Sequence, residues 1–225
     1  MVPGFEKDEV DFLSLLSEDN RRRALEGSTR AEYPPGAIAY HPEMPPRAFL
    51  LDRGLARAYV GVPDGRQATC TYFHSNELIG GTTIVSHPPR ILVQVIVKST
   101  LICLDLPMLR KLAVTENQVT GAIAVHLAAL VRSAFRLIAV RSLGDIRQRL
   151  AYDLLDRACR SQLEVGRLEA RATHADLADS IGSAREVVGR ALAVMREAGL
   201  VETSPGLVRV IDPLRVAAIV RAFAL

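Results

Sequence analysis

The stretch from Thr173 to Gly199 constrains this chain more than any other. Thr173 is placed as an N-cap, and Asp176 three residues on favours the first turn through the helix dipole. Leu177, Ala178 and Ile181 have helical spacing, so they form one inner face. Gly182 supplies a corner that only glycine adopts at low cost, and it predicts the end of a short helix. A second helix opens at Ser183 or Ala184 and runs to Glu197 or Ala198, just before Gly199. In it Val188, Leu192 and Met195 follow i, i+4, i+7 and face inward, while Arg185, Glu186, Gly189 and Arg190 share the outer side. The pattern is a helix-turn-helix.

The run Gly182-Ser183-Ala184-Arg185-Glu186-Val187-Val188-Gly189-Arg190 resembles the recognition-helix signature of the cyclic-AMP receptor and fumarate–nitrate regulator (Crp/Fnr) family of bacterial transcription regulators. An arginine gives two parallel hydrogen bonds to guanine O6 and N7, and a glutamate accepts from cytosine N4. The resemblance therefore implies Arg185 and Arg190 on guanines or adjacent phosphates, and Glu186 on a cytosine edge. Gly189 keeps the surface low between them. Ser183 and Thr173 join the DNA-facing set, with Arg209 on the phosphate backbone. The resemblance further implies double-stranded DNA with a palindromic site of TGTGA-like half-sites, a homodimer, and RNA polymerase as a partner.

At 225 residues the chain has room for two modest domains, and 49% hydrophobic content is ample for their cores. A net charge of only +3 announces no global basic field, so DNA affinity must come from a local surface used twice. The cysteines, Cys70, Cys103 and Cys159, form neither a metal cadence nor an even disulfide set, which favours a reducing compartment. Residues 1–20 are too acidic for a signal peptide. No uninterrupted apolar run approaches the roughly 18 residues of a membrane span. The expectation is a cytoplasmic protein with no membrane partner.

Residues Glu9 to Leu25 read as two short amphipathic helices broken near Ser17, with Val10, Leu13 and Leu16 on the buried side. From Tyr33 the texture becomes short strands punctuated by Gly and Pro: 37–40, 48–51, 55–61, 67–73, 91–97 and 101–104. Pro63-Asp64-Gly65-Arg66 is a hairpin signal between two of them. Many short strands at this spacing mean a sandwich or β-roll. The rhythm Gly36, Gly54, Gly65 and Gly80 is similar to the family's effector-binding β-roll, a fold like the cyclic-nucleotide-binding domain. Nucleotide-binding members carry Ile-Gly-Glu-Leu and then an Arg-Ser pair that holds the cyclic phosphate. Here the matching step is Ile79-Gly80-Gly81-Thr82, and the nearby Arg90 is followed by Ile91. These six residues are the candidate effector pocket. A phosphate site needs an arginine fixed by supporting donors, and they are missing, so cyclic AMP is not the expected effector.

Two other classes of function bear on the same domain. Cys70 and His74 sit at even spacing on a strand, hence on one face, and make weak candidate ligands for haem or another metal in a gas or redox sensor. The third class is a β-roll binding protein or enzyme without DNA binding. The histidines, His41, His74, His87, His126 and His174, are scattered, and no P-loop or dinucleotide motif occurs. The expectation is no catalysis.

Glu116 to about Val140 is a long helix in which Ile123, Leu127, Leu130, Ala134 and Leu137 alternate in steps of four and three, a heptad seam. Val131, Phe135 and Ile138 lie off that seam and are expected on the β-roll. The resemblance makes the seam a dimer interface, with an intrachain core helix as the alternative. A second helix, Ile146 to about Gln162, follows a hinge at Arg141 to Asp145. Beyond the helix-turn-helix, Leu200–Thr203 and Leu207–Ile211 flank Ser204-Pro205-Gly206 as a hairpin, completing a winged helix with Ser204 at its tip. Asp212-Pro213 then opens a last helix that covers it. The fold class is thus α+β: an N-terminal antiparallel β-roll (1–115), a dimerisation helix and hinge (116–144), and a C-terminal winged helix-turn-helix (145–225).

Overall fold

The computed structural model describes residues 10–62 and 67–223, so the expected turn at 63–66 lies outside the described residues. Two compact units divide the chain, Met1–Ser133 and Ala134–Leu225.

The first unit opens with a 3-10 turn at Leu13–Leu15 and helix α1 at Glu18–Leu25. Ser17, expected as a break between two helices, is the N-cap of α1 and accepts from the Asn20 N–H. Strands β1 (Thr29–Tyr33), β2 (Ile38–Tyr40), β3 (Ala48–Arg53), β4 (Leu55–Gly61), β5 (Gln67–His74) and β6 (Leu78–Ile79) follow. Helix α2 (Gly81–Val85), β7 (Leu92–Val95), β8 (Ser99–Leu104), α3 (Leu106–Thr115) and α4 (Asn117–Leu143) complete the series. Sequence reasoning misses β1, β6, α2 and α3. β1 is almost wholly exposed and shows no apolar alternation. α3 carries a readable signal, Asp105 as N-cap accepting from the Met108 N–H at 2.7 Å, with Pro107 in the first turn.

The strands form two antiparallel sheets, ordered β1-β8-β3-β6 and β2-β7-β4-β5. β3 shows why they pack as they do. Phe49 and Leu51 face a core shared with Ala56, Ala58, Phe73, Val93 and Val95 of the other sheet. Ala48 and Leu50, on the opposite face of the strand, meet Phe12, Leu16, Leu109, Leu112, Val119 and Ile123. A strand buried on both faces reads as an unbroken apolar run, which is what Ala48 to Leu51 is. Each fully buried leucine or phenylalanine contributes about 1.5–3 kcal/mol.

α4 has a mean hydropathy of 1.8 over an 18-residue window, so by length and composition it is long and apolar enough to cross a membrane, although Thr120, His126, Arg132 and Arg136 interrupt it. Its sides are unequal. One carries Val119, Ala122, Ile123 and His126 into the interior, and the other is open.

The second unit contains α5 (Ile146–Val165), β9 (Glu169–Arg171), α6 (His174–Ile181), α7 (Arg185–Glu197), β10 (Val201–Ser204), β11 (Leu207–Val210) and α8 (Pro213–Arg221). Asp145 caps α5 in a capping box with Gln148. Within the span expected as a hinge, the helices break at Gly144 and Asp145, inside this unit. The boundary between compact units falls within α4 instead, between Ser133 and Ala134, whereas the expected three-part division keeps the helix whole. β9, too short to show a pattern, makes the wing three-stranded in the order β10-β11-β9. α8 is capped by Asp212 and packs chiefly on α5, so it does more than cover the hairpin.

Candidate nucleic-acid interface and effector pocket

The helix-turn-helix is built as its sequence dictates. Thr173 Oγ1 accepts from the Asp176 N–H at 3.2 Å, and Asp176 Oδ2 accepts from the Thr173 N–H at 2.8 Å, closing a capping box. The Thr173 main-chain N–H and its hydroxyl together hold the Asp176 carboxyl below its usual range. Gly182 ends α6 at φ +60°, a left-handed corner, and Ser183 N–H returns to the Ala178 carbonyl at 2.9 Å. α7 then buries Val188, Leu192 and Met195.

Rotation about α7 leaves Arg185, Glu186 and Arg190 exposed, and none makes an ion pair or side-chain hydrogen bond among the described residues. Gly189 lies between them against His174, whose Nδ1 would stand 3.6 Å from a Cβ added there. Ala184, the N-cap of α7, gives no side-chain cap, and its carbonyl accepts from the Val187 N–H at 3.0 Å. The three outward groups over a low glycine offer two arginine donor forks and one carboxylate acceptor, the kinds of group that pair with base edges in a major groove.

Arg209, expected on the phosphate backbone, is engaged within the wing. Its guanidinium sits between Glu169 Oε1 at 3.0 Å and Glu202 Oε2 at 3.3 Å, tying the three strands of the wing together. Spacing alone leaves it free, because β9, which brings Glu169 alongside, has no sequence signal. Arg171 escapes sequence reasoning for the same reason. It is exposed on β9 opposite Leu207, two residues ahead of Thr173, and has no ion-pair partner among the described residues.

The two faces of α4 are the reverse of the expectation. Ile123 and Leu137 are buried, Ala134 is half-buried, Leu127 packs on the helix-side core, and Leu130 packs on the core between the sheets. The exposed stripe is Gly121, Ala124, Ala128, Val131, Phe135 and Ile138, again in alternating steps of three and four. Val131, Phe135 and Ile138, expected on the β-roll, are 52%, 59% and 64% exposed. Two heptad stripes one residue apart run along this helix, and periodicity alone does not say which turns inward. In the first half of the helix the larger side chains fill the interior, and the small ones are left outside.

The effector-pocket residues are only partly brought together. Ile79, Gly80 and Ile91 line a small cavity with Tyr40, Phe49 and Arg47, the last a cation that sequence reasoning misses. Its volume is about 20 Å³, room for little more than one water. Gly81 faces His126 instead, while Thr82 and the exposed Arg90 do not line the cavity.

Cys70 and His74 do not share a simple strand face. Ala58 pairs with Thr71 and Tyr59 with Thr69, so Cys70 is the extra residue of a β-bulge and the alternation breaks at it. Burial pushes its thiol up, which disfavours a thiolate ligand. No cluster of three or more His, Cys, Asp or Glu suited to a metal occurs among the described residues.

An outward helix of a helix-turn-helix beside a three-stranded wing, on a chain that begins as a β-roll, defines a DNA-binding regulator. A model of the Crp-like helix-turn-helix domain matches residues 148–219. The cyclic AMP receptor protein of Thermus thermophilus is 30% identical over 193 residues, covering 83% of this chain and 86% of that one. The chain belongs to the Crp/Fnr family of transcription regulators. A Crp/Fnr-family regulator from Eubacterium rectale shares the fold with a TM-score of 0.58 at 19% identity, over 92% of this chain and 96% of that one. The c-di-GMP responsive global regulator CLP of Xanthomonas campestris matches with a TM-score of 0.54 at 20% identity, over 87% and 100%. At such identities these structures speak for the fold alone.

Proposed function

We propose that the chain works as a homodimer that reads a palindromic DNA site with TGTGA-like half-sites, under the control of an effector other than cyclic AMP. The observation that carries the reading is the open trio Arg185, Glu186 and Arg190 on α7. Each arginine offers a planar fork to guanine, and Glu186 offers an acceptor to cytosine. One such helix contacts too few base pairs for specificity. Two, related by a twofold axis, reach successive major grooves about 34 Å apart. The apolar stripe from Gly121 to Ile138 is the proposed mating surface, in place of the seam first expected, and its spacing of three and four is what a paired helix requires. Arg171 replaces Arg209 as the phosphate contact of the wing.

The Thermus relative is named for cyclic AMP, but this chain departs from the nucleotide-binding pattern at Gly81 and Ile91. A cavity of about 20 Å³ also falls far short of the several hundred Å³ of a ligand site. The β-roll is proposed to answer another signal, which shifts the population between two settings of the recognition helices. RNA polymerase as partner and a cytoplasmic location complete the reading.

The experiment is selection of bound duplexes from a random-sequence library by the full chain, with sedimentation to give its mass. An enriched palindrome with half-sites one helical turn apart supports the proposal. A monomer, or the absence of any enriched palindrome, overturns it.

A further inference from the structure

Gly81 opens α2, and an imidazole covers its Cα. A Cβ added at Gly81 would lie 2.7 Å from His126 Cδ2 and 3.1 Å from His126 Nε2. The backbone at Gly81 is not in the left-handed region, so its conformation does not demand glycine. The ring across from it does.

His126 is 2% exposed, on the inward side of α4. Its ring meets Phe12 edge-on, with centroids 6.5 Å apart, and makes one hydrogen bond to the Leu78 main chain. Nε2 has no partner among the described residues. An imidazole with one nitrogen satisfied and the other against a Cα is a seat for the neutral ring only. A proton on Nε2 would create a buried cation facing no acceptor.

We infer that His126 is a proton-operated latch between α4 and the sensor sheets: neutral, it is seated on Gly81 and Phe12, and protonated, it leaves that seat and frees α4 from α2 and the N-terminal segment.

Burial pushes the imidazole down to about 4, with the Leu78 main chain opposing. No carboxylate or basic side chain takes part in that balance; what faces the ring from the N-terminal segment, β6 and α2 is Phe12, Leu78 and Gly81. An unseated ring in water titrates near 6.5. Linkage then favours the unseated arrangement by about 30-fold at pH 5 relative to pH 7.5. The latch lies wholly in the first unit, goes beyond the DNA-binding reading, and makes the proton a signal that the long helix receives directly.

The test is hydrogen exchange of the full chain at pH 7.5 and 5, corrected for intrinsic rates. The expected result is loss of protection by about 30-fold at pH 5 in segments 81–85 and 119–130 of the unmodified protein. The same segments change little in His126→Gln, and Gly81→Ala shows the loss already at pH 7.5. Should Gly81→Ala fail to fold, the imidazole resonances of the unmodified protein replace it, and one of its five histidines must titrate about two units below the rest. Unchanged protection at pH 5, an equal loss in His126→Gln, or five ordinary titrations would each overturn the latch. No DNA enters the experiment, so its failure leaves the DNA-binding reading untouched, and the reverse also holds.

Discussion

Arg209 Nη2 stands 3.0 Å from Glu169 Oε1, a contact that joins β11 to β9 and leaves the guanidinium spoken for. The pair is partly exposed, so Arg209→Ala should cost the second unit no more than about 1 kcal/mol. The slope of log affinity against log salt for DNA should stay as it was. Arg171→Ala should reduce that slope by about one, because each released phosphate contact removes about one counterion from the balance. Fluorescence anisotropy across a salt series reads both, and the opposite assignment would show as a change of slope on Arg209→Ala.

Arg190 is exposed and unpaired on the outer side of α7. Its replacement by Ala should weaken specific binding by about 1–3 kcal/mol and relax base preference at one position in each half-site. Arg190→Lys should recover charge but not preference, since an ammonium lacks the planar fork. Even weakening across all sequences would mean that the residue touches phosphate alone.

Phe135 and Ile138 are the largest members of the open stripe on α4. Changing both to Arg should leave a folded monomer in sedimentation equilibrium. Ile123→Ala, on the buried stripe at 1% exposure, should lower unfolding free energy by about 2–5 kcal/mol without changing the mass. A dimer that survives the first change and dissociates with the second would return the interface to the Ile123 stripe.

His126 also sets a dependence of stability on pH. Its folded value of about 4 lies below the unfolded 6.5, so the unfolded chain binds the extra proton between those limits. Stability from this residue is complete above about pH 6.5 and falls as pH drops toward 4. The full loss is about 3 kcal/mol. Urea titrations at intervals of half a pH unit should show that decline as the difference between the unmodified protein and His126→Gln. A constant difference across the window would place the imidazole in water.

The helix-turn-helix is legible almost to the residue because its signals are local. Thr173 and Asp176 cap within one turn, Gly182 takes its corner from its own backbone, and Val188, Leu192 and Met195 follow one period. Most of the β-roll strands are legible for the same reason. What stays hidden depends on partners far along the chain. β9 is three residues long and exists because β11 comes alongside, so neither the engagement of Arg209 nor the freedom of Arg171 can be read from spacing. The inward face of α4 turns on which stripe fits against the outer face of β3 and against α3, a pairing that the sequence does not state. His126 looks like one scattered histidine until Gly81, 45 positions earlier in the chain, is seen beneath its ring.

The open stripe of α4 is not uniform from end to end. Gly121, Ala124 and Ala128 allow another backbone to come within about 8 Å, whereas Val131, Phe135 and Ile138 hold it nearer to roughly 10 Å. Under the proposed pairing, two copies laid along this stripe lie closer at residue 121 than at residue 138. Under that pairing, the divergence of the two helices is set by side-chain bulk along a single rod.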